Sequence, residues 1–471
     1  MPVSPQFATA IQIVLTLRGK GYEAYFAGGC VRDLLLGREP HDYDVASSAT
    51  PDVILANFPR TFAVGARFGV VLVAEQPAGQ SQELHGDKPV EVATFRSDGL
   101  YSDGRRPDEV RYTLSAAEDV QRRDFTINGL LLDPMRGGSS LDEFRNDPVR
   151  LRAAVLDHIG GLADLDAGIL RAIGDPARRF QEDQLRLLRA VRFAARFGFA
   201  IEPVTFAAIR ALAPKIHVVS RERVRDELTK MLTEGHARRA FELLDETGLL
   251  AEVLPEVARM KGVAQPPQFH PEGDVWVHTL LLLEQLPAGC PLTLAWGALL
   301  HDVGKPPTFR VAPDRIRFDN HVEVGMAIGA EICRRLRFSN EETHQIRALI
   351  EHHMRFADAP RMKESTLKRF FRLNDFHEHL ELHRMDCLAA HGNLDLWTFV
   401  RDRYEATPAE VVRPTPLLTG RDLIAEGYTP GALFKEMLNA IEDAQLEGAI
   451  STSDEALALV RKRFGRAEKA R

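Results

Sequence analysis

The residues best suited to chemistry stand near the start of the chain, in Tyr25-Phe-Ala-Gly-Gly-Cys-Val-Arg-Asp-Leu-Leu-Leu-Gly-Arg38 and the Glu39-Pro-His-Asp-Tyr-Asp-Val-Ala-Ser47 that follows. Gly28 and Gly29 carry no side chain, so their backbone N–H groups can close on a phosphate. A helix is predicted to begin at Cys30, and Arg32 on its first turn adds a guanidinium to the same anion. Asp42 and Asp44 alternate with Tyr43 and Val45. In a strand, residues two apart share a face, so both carboxylates point one way while Tyr43 and Val45 enter a core. Two like charges held so close call for a divalent ion, and oxygen-only donors favour Mg²⁺, which also takes phosphate oxygens. The chemistry implied is in-line nucleotidyl transfer assisted by two metal ions.

A Gly-Gly pair or an Asp-x-Asp is unspecific alone; the order Gly-Gly-x-Val-Arg-Asp-Leu-Leu-Leu-Gly-Arg then Asp-x-Asp is far more specific. On these residues the chain resembles the bacterial-type (class II) tRNA nucleotidyltransferase and poly(A) polymerase family. The resemblance implies an α+β fold, with a small mixed sheet backed by helices in the head. It also implies transfer of AMP or CMP from ATP or CTP onto an RNA 3′ end.

The elements that must position these groups are legible on both sides. Phe7, Ile11, Val14, Leu15 and Leu17 recur at helical spacing over 7–19, and Thr50-Pro51-Asp52 starts another helix. The β-branched run Phe68–Glu75 reads as a buried strand, 76–89 as a polar loop, and Val90–Arg96 as a returning strand. Glu91 on that strand is either a third metal ligand or half of an ion pair with an arginine. The polar stretch 97–112 reads as a loop. The resemblance gives its Asp103-Gly-Arg-Arg-Pro107 part to the loop needed for adding a terminal A. It gives Arg122-Arg123-Asp124-Phe125 to a second motif, where Arg123 is the stronger candidate for the ribose or triphosphate. The bland alternative is that Arg123 and Asp124 pair to fix a helix start. Leu141-Asp-Glu-Phe and a strand end at Pro148 close the head.

Beyond 151 the pattern is helical. Asp183, Arg186, Arg189 and Arg192 recur every three residues, a ridge on a predicted helix that is otherwise almost wholly apolar. A carboxylate accepts from an exocyclic amine while an arginine donates to the ring acceptor beside it, a polarity that cytosine and adenine share and uracil and guanine reverse. Asp183 with Arg186 therefore selects C and A without a nucleic-acid template. Glu182-Asp183-Gln184-Leu185-Arg186 matches the Glu-Asp-x-x-Arg motif of the resembled family. Arg189 and Arg192 would then face the triphosphate. Residues 178–230 hold twelve Lys or Arg against six Asp or Glu, a local excess suited to RNA in a chain of net charge −7.

A second constellation follows Pro266-Pro267: His278, the adjacent His301-Asp302 with Lys305 close behind, and Asp386. This order resembles the HD-domain metal phosphohydrolases. The resemblance implies an all-helical domain with an open-sided site for a divalent transition metal able to activate water toward a phosphate ester, or else a retained fold without activity. His321 and His353 are expected ligands of a second ion. His270 and Asp274 belong either to the outer sphere of that site or to a local turn. Leu418–Gly431 and the helices to Phe464 resemble the tail that touches the tRNA body, and Arg466–Arg471 reads as a frayed end.

The expected plan is a nucleotidyltransferase head over 1–150, a helical neck for nucleobase selection and RNA over 151–255, an HD domain over 256–400 and a helical tail over 401–471. Its 471 residues, 45% hydrophobic, suffice for several cores. No run suits a membrane span or a leader, and Cys30, Cys290, Cys333 and Cys387 lack disulfide or zinc spacing, so a cytoplasmic location with reduced core thiols is expected. The expected partners are tRNA, ATP and CTP, with no membrane and no obligatory protein partner. Complete C-C-A addition is favoured over poly(A) synthesis or partial A-only or CC-only addition. An HD phosphohydrolase with an RNA-binding head is the alternative of another class.

Overall fold

A computed structural model describes residues 4–65, 69–74, 88–98, 110–137, 147–268 and 270–465. The chain forms two compact units, Met1–Met231 with Arg239–Val253, and Leu232–Arg238 with Leu254–Arg471. The expectations for most of 75–89, for Asp103–Pro107, for Leu141–Phe144 and for Arg466–Arg471 fall outside the described residues.

The first unit is built on a sheet of seven strands among the described residues. In chain order they are β1 (Ala24–Ala27), β2 (Asp44–Ser47), β3 (Thr61–Gly65), β4 (Val70–Val73), β5 (Val90–Thr94), β8 (Leu131–Leu132) and β9 (Val155–Leu156). β6 (Arg96–Asp98) and β7 (Val110–Tyr112) pair antiparallel apart from that sheet, so both ends of the stretch 97–112 expected to be a loop are strand. The spatial order is β3-β4-β5-β2-β1-β8-β9, antiparallel except for the central β2 and β5, which run parallel. Helix α1 (Pro5–Gly19) starts where the Ser4 side chain accepts from the Phe7 amide and Pro5 presets the first turn. It buries Phe7, Ile11, Val14 and Leu17, and Phe7 meets the rings of Phe26 on β1 and Tyr43 at 5.7 and 5.2 Å. Each such side chain contributes about 1.5–3 kcal/mol by leaving water. Tyr43 and Val45 are therefore tied to the core, and Asp44 between them must face the other way. Leu15, which the periodicity placed on the apolar face, is 38% exposed.

Helix α2 (Gly29–Leu35) follows β1 directly, and α3 (Pro51–Asn57) follows β2. After the short α4 (Ala116–Gln121) and the strand β8, Pro148 opens α5 (Pro148–Ala153) under an Asp147 cap instead of ending a strand. β9 then pairs with β8, so the head sheet runs past the boundary expected at 150. A two-residue edge strand carries too little alternation to be seen in sequence. The helical part holds α6 (Pro176–Glu182), α7 (Leu185–Phe197) and α8 (Arg221–Thr233).

The second unit is nearly all helical. Its principal elements are α9 (Val275–Glu284), α10 (Leu292–Leu300), α11 (His321–Arg335), α12 (Asn340–His352), α13 (Phe376–Ala389) and α14 (Asp395–Glu405), with a hairpin of Phe309–Val311 and Ile316–Phe318. A Cβ on Gly304 would lie 2.0 Å from the His321 carbonyl oxygen and 2.6 Å from the Gly325 nitrogen. Only glycine lets α11 press against the turn after His301-Asp302. The boundary expected at 400 falls within α14, whose Val400 packs with Phe356, Phe370, Phe376 and Val412. A separate tail core begins at Leu418, with Leu423, Tyr428, Met437, Ile441 and Val460 drawn from α15 (Gly420–Ala425), α16 (Ala432–Leu446), α17 (Ser453–Phe464) and the turn at 428. Cys30, Cys333 and Cys387 are buried free thiols, and Cys290 is only half-buried. Among the described residues no helix is long and apolar enough to cross a membrane.

Candidate active site and metal centre

β1 delivers the chain to Gly28, whose φ of +73° and ψ of −128° suit glycine alone. A Cβ there would lie 3.0 Å from Arg123 Nη1, so this guanidinium stands over the glycine turn. Arg123 Nη2 donates to Asp119 Oδ2 at 3.0 Å, and its Nε is buried without a partner. The pairing of Arg123 with Asp124 considered from sequence does not occur.

Asp44 opens β2 and stands in register with Glu91 on β5. Burial pushes the Asp44 carboxyl up to about 7, with Glu91 and Asp42 adding to the rise and Arg123 opposing it. The Glu91 carboxyl is raised too, first by burial, with Asp42 adding to the rise against Arg123. Carboxylates that raise one another are an electrostatic invitation to a cation. Asp42 lies on the exposed approach to β2, 3.3 Å from Lys88 Nζ. The three carboxylates are not among the preformed donor groups that could hold a metal among the described residues.

Arg32 departs from expectation. It is 4% exposed, donates to Asp33 Oδ1 at 2.7 and 2.9 Å and to Asn128, and lies over the rings of Phe193 and Phe197. It anchors α2 to α7 instead of presenting itself to an anion. A helix-turn count fixed its position along α2 but not the ion pair with its own neighbour Asp33.

The charged ridge is also divided. α6 ends at Glu182, Asp183 is extended, and α7 begins at Leu185, where the amide donates to Asp183 Oδ1 at 3.1 Å. Arg223 on α8 grips Asp183 with two donors at 2.9 and 3.3 Å. Arg186 donates to Glu182 at 2.9 Å and to the carbonyls of Arg179 and Arg122. Asp183 and Arg186 thus each have their own holder and are not paired. Arg189 donates to Asp124 at 2.7 and 3.0 Å. Burial would raise Asp124, but Arg189 outweighs it and holds the carboxyl at about 2. Arg192 donates to Glu227 at 2.7 Å with both groups buried. Arg189 and Arg192, expected to face the triphosphate, are each paired with a carboxylate in this structure. Three consecutive residues form the seam: the Arg122 carbonyl takes Arg186, Arg123 covers Gly28, and Asp124 takes Arg189.

In the second unit, four histidines are set the same way. Nδ1 of His301, His321 and His353 meets the carbonyl oxygens of Ala298, Phe318 and Ile350 at 2.9, 3.0 and 2.7 Å, and Nδ1 of His278 meets Glu272 at 2.7 Å. Carbonyl and carboxylate oxygens only accept, so Nδ1 carries the hydrogen and Nε2 is left as a ligand atom, the usual preparation for a metal. His278 Nε2 lies 3.0 Å from Asp386 Oδ1 and 3.3 Å from His301 Nε2. Asp302 is held well below the usual carboxylate range: burial opposes this, but Lys305 at 2.6 Å and the neighbouring histidines prevail. Burial would lower His278, yet its bonds to Asp386 and Glu272 raise it to about 9, a proton standing where a cation would be held. His270 Nδ1 meets the same Glu272 Oε1 at 2.9 Å, and the donor atoms of His270, Glu272 and His278 lie within 4.8 Å of one another. Asp274 caps α9, accepting from the Val277 amide, and bonds Gly262; it is a local turn residue. Sequence reasoning missed Asp119, Arg223, Glu227 and Glu272; a carboxylate six residues before His278 was the one visible clue.

The comparisons fall on these same segments. The model of the poly A polymerase head domain matches 24–171, that of the RNA and SrmB- binding site of polymerase A matches 198–261, and that of tRNA nucleotidyltransferase domain 2 matches 323–460. The CCA-adding enzyme of Lactobacillus helveticus (strain DPC 4571) is 31% identical over 457 residues, 96% of each chain. That of Geobacillus stearothermophilus is 41% identical over 256 residues, 54% of this chain, and here the match spans only 56% of the relative's length. The crystal structure of the Bacillus stearothermophilus CCA-adding enzyme in complex with CTP is similar at a TM-score of 0.70, with 28% identity and 98% of each chain covered. A head-domain match over the glycine turn and its two aspartates, joined to 31% identity along almost the whole of one relative, shows that the chain belongs to the CCA-adding enzyme family.

Proposed function

We infer that this chain completes tRNA 3′ ends in the cytoplasm, adding C, C and A from CTP and ATP by template-independent nucleotidyl transfer. The observation that carries the reading is the in-register pair Asp44 and Glu91 beside the Gly28 turn under Arg123, with Asp183 and Arg186 in the same unit. The Gly29 amide and Arg123 bind the triphosphate; the Gly28 amide, expected to join them, instead donates to the Leu130 carbonyl oxygen at 3.2 Å and fixes the turn. Asp42 and Asp44, with Glu91, would hold Mg²⁺, whose charge supplies stabilisation of the reacting phosphate oxygens. The RNA 3′-hydroxyl forms the new bond to the α-phosphorus as the bond to pyrophosphate breaks, and the hydroxyl proton passes to solvent. Asp183 accepts from the exocyclic amine and Arg186 donates to the adjacent ring acceptor. Arg223 and Glu182 hold these two groups in orientation, so the base meets a preset edge. The tail from 418 would contact the tRNA body.

A second reading concerns 254–412, as an HD metal-phosphohydrolase region. The four histidines with anchored Nδ1 support it, with His278, His301, Asp302 and Asp386 as ligands of a divalent transition metal. Lys305, Arg315 and Arg317 line the adjoining cavity of about 520 Å³ and suit an anionic ester.

Extension of tRNA lacking its last three nucleotides tests the main reading. CTP alone should add two residues, CTP with ATP three, and UTP or GTP none. ATP uptake alone onto arbitrary RNA would point to poly(A) synthesis, and two C residues without A to a partial enzyme.

A further inference from the structure

We propose that Asp119 is a positioning residue for nucleotide binding: its buried carboxylate holds the Arg123 guanidinium over the Gly28 turn, where the triphosphate binds, and off Asp44 and Glu91. This rests on reading the head as a nucleotidyltransferase and deepens that reading by naming the group that sets Arg123 in place.

Asp119 lies on α4 and is 1% exposed, yet its carboxylate accepts from three residues. Oδ1 takes Arg122 Nη2 at 2.7 Å, Arg122 Nε at 2.9 Å and the Arg96 amide at 3.2 Å, and Oδ2 takes Arg123 Nη2 at 3.0 Å. Burial pushes the Asp119 carboxyl up, but Arg123 and Arg122 outweigh it and hold it below the usual carboxylate range. Arg96 opens β6 just beyond β5, the strand that carries Glu91, so one charged group ties α4 to the end of that strand and to Arg123 together.

Arg123 depends on this anchor more than its neighbours depend on theirs. Arg32, Arg186 and Arg189 each make two or more hydrogen bonds to protein acceptors. Among the described residues Asp119 is the one hydrogen-bond partner of Arg123, whose Nε is buried without any and whose Nη1 stands over Gly28. Donors left open above a glycine turn suit an anion. Two other carboxylates compete for the same guanidinium: burial raises both Asp44 and Glu91, and Arg123 opposes the rise in each. With the Asp119 charge removed, the attraction that remains is toward that pair, and it draws Arg123 off the turn. The triphosphate is common to CTP and ATP, so the loss falls on both alike. Base selection lies with Asp183 and Arg186, whose carboxylate and guanidinium partners are Arg223 and Glu182 and not Asp119.

The test compares the full-length parent with Asp119→Asn in extension of tRNA lacking its last three nucleotides, with tripolyphosphate as a competitor of CTP and with calorimetry of CTP binding in the absence of tRNA. KM for CTP, KM for ATP and the inhibition constant of tripolyphosphate should rise together by about 10- to 100-fold, and calorimetric affinity should fall as far. kcat should stay within about threefold, and UTP and GTP should still be refused. Added to Arg123→Met, Asp119→Asn should change tripolyphosphate inhibition by less than about twofold, because Asp119 acts through Arg123; full additivity overturns the proposal. Asp119→Glu keeps the charge one methylene further out and should raise the same constants by less. If the Asn chain does not fold, parent-like constants in Asp119→Glu overturn the proposal. So does a lower melting temperature in Asp119→Asn with KM and tripolyphosphate inhibition unchanged, which makes Asp119 a residue of the fold alone. A parent chain that extends no such tRNA overturns the nucleotidyltransferase reading itself, and the proposal with it.

Discussion

Replacing Arg192 by methionine distinguishes a structural arginine from a substrate-binding one. Arg192 and Glu227 are 6% and 4% exposed and 2.7 Å apart, so removing the guanidinium leaves a buried carboxylate without its partner. Breaking a buried pair in this way costs about 3–5 kcal/mol. At about 2–4 °C per kcal/mol for a unit of this size, melting should fall by about 6–20 °C. Arg192→Met with Glu227→Leu removes both charges and should recover most of the loss, because the desolvation of two ions disappears with their attraction. Trp276, Trp296 and Trp397 all lie in the second unit, so tryptophan fluorescence would not report the event. Calorimetry, with hydrogen exchange on peptides spanning 185–233, would. The double variant should keep its KM for CTP within about threefold. If Arg192→Met melts like the parent while the KM for CTP rises tenfold or more, the guanidinium faces nucleotide and the assignment is wrong.

Two further outcomes follow from the same unit. Asp44 titrates near 7 in the metal-free protein instead of near 3.8, so its contribution to metal-free stability is present below about pH 4 and lost as pH rises through 7. A cation reverses that balance, and Mg²⁺ affinity should climb about tenfold per pH unit below 7 and level off above it, measured by titration between about pH 5.5 and 8; a flat profile would remove Asp44 from the ligand set. Arg223→Ala strips Asp183 of a charge-assisted bond worth about 1.5–3 kcal/mol. It should lower kcat/KM for CTP and ATP about 10- to 100-fold and narrow their margin over UTP, and unchanged selection would mean that Arg223 does not position the base-reading carboxylate.

What could be read from the chain alone depended on whether the partners were local. Asp44 between Tyr43 and Val45 was legible because a two-residue period fixes its face, and the Gly28 turn because its spacing is short. The fate of Arg189 and Arg192 was not, since Asp124 and Glu227 lie 65 and 35 residues away. A three-residue repeat suggested one continuous ridge, but the chain breaks at Asp183, where the carboxylate turns to cap Leu185 and meet Arg223. Much of the basic excess over 178–230 proved internal for the same reason: Arg179, Arg186, Arg189, Arg192 and Arg223 are all spent on carboxylates. The histidine cluster was found as a set of residues, but the anchoring of Nδ1 in His301, His321 and His353 was not, because its partners are backbone carbonyls and leave no mark in sequence.

The most direct measurement compares the parent chain with its Asp42→Ala, Asp44→Ala form in single-turnover extension of tRNA that ends before its last three nucleotides, with CTP and ATP supplied. The parent should restore C-C-A, and the variant should fall by at least about a thousandfold while its tRNA affinity and melting are retained. Extension that persists in the variant would show that the head carboxylates do not carry the reaction.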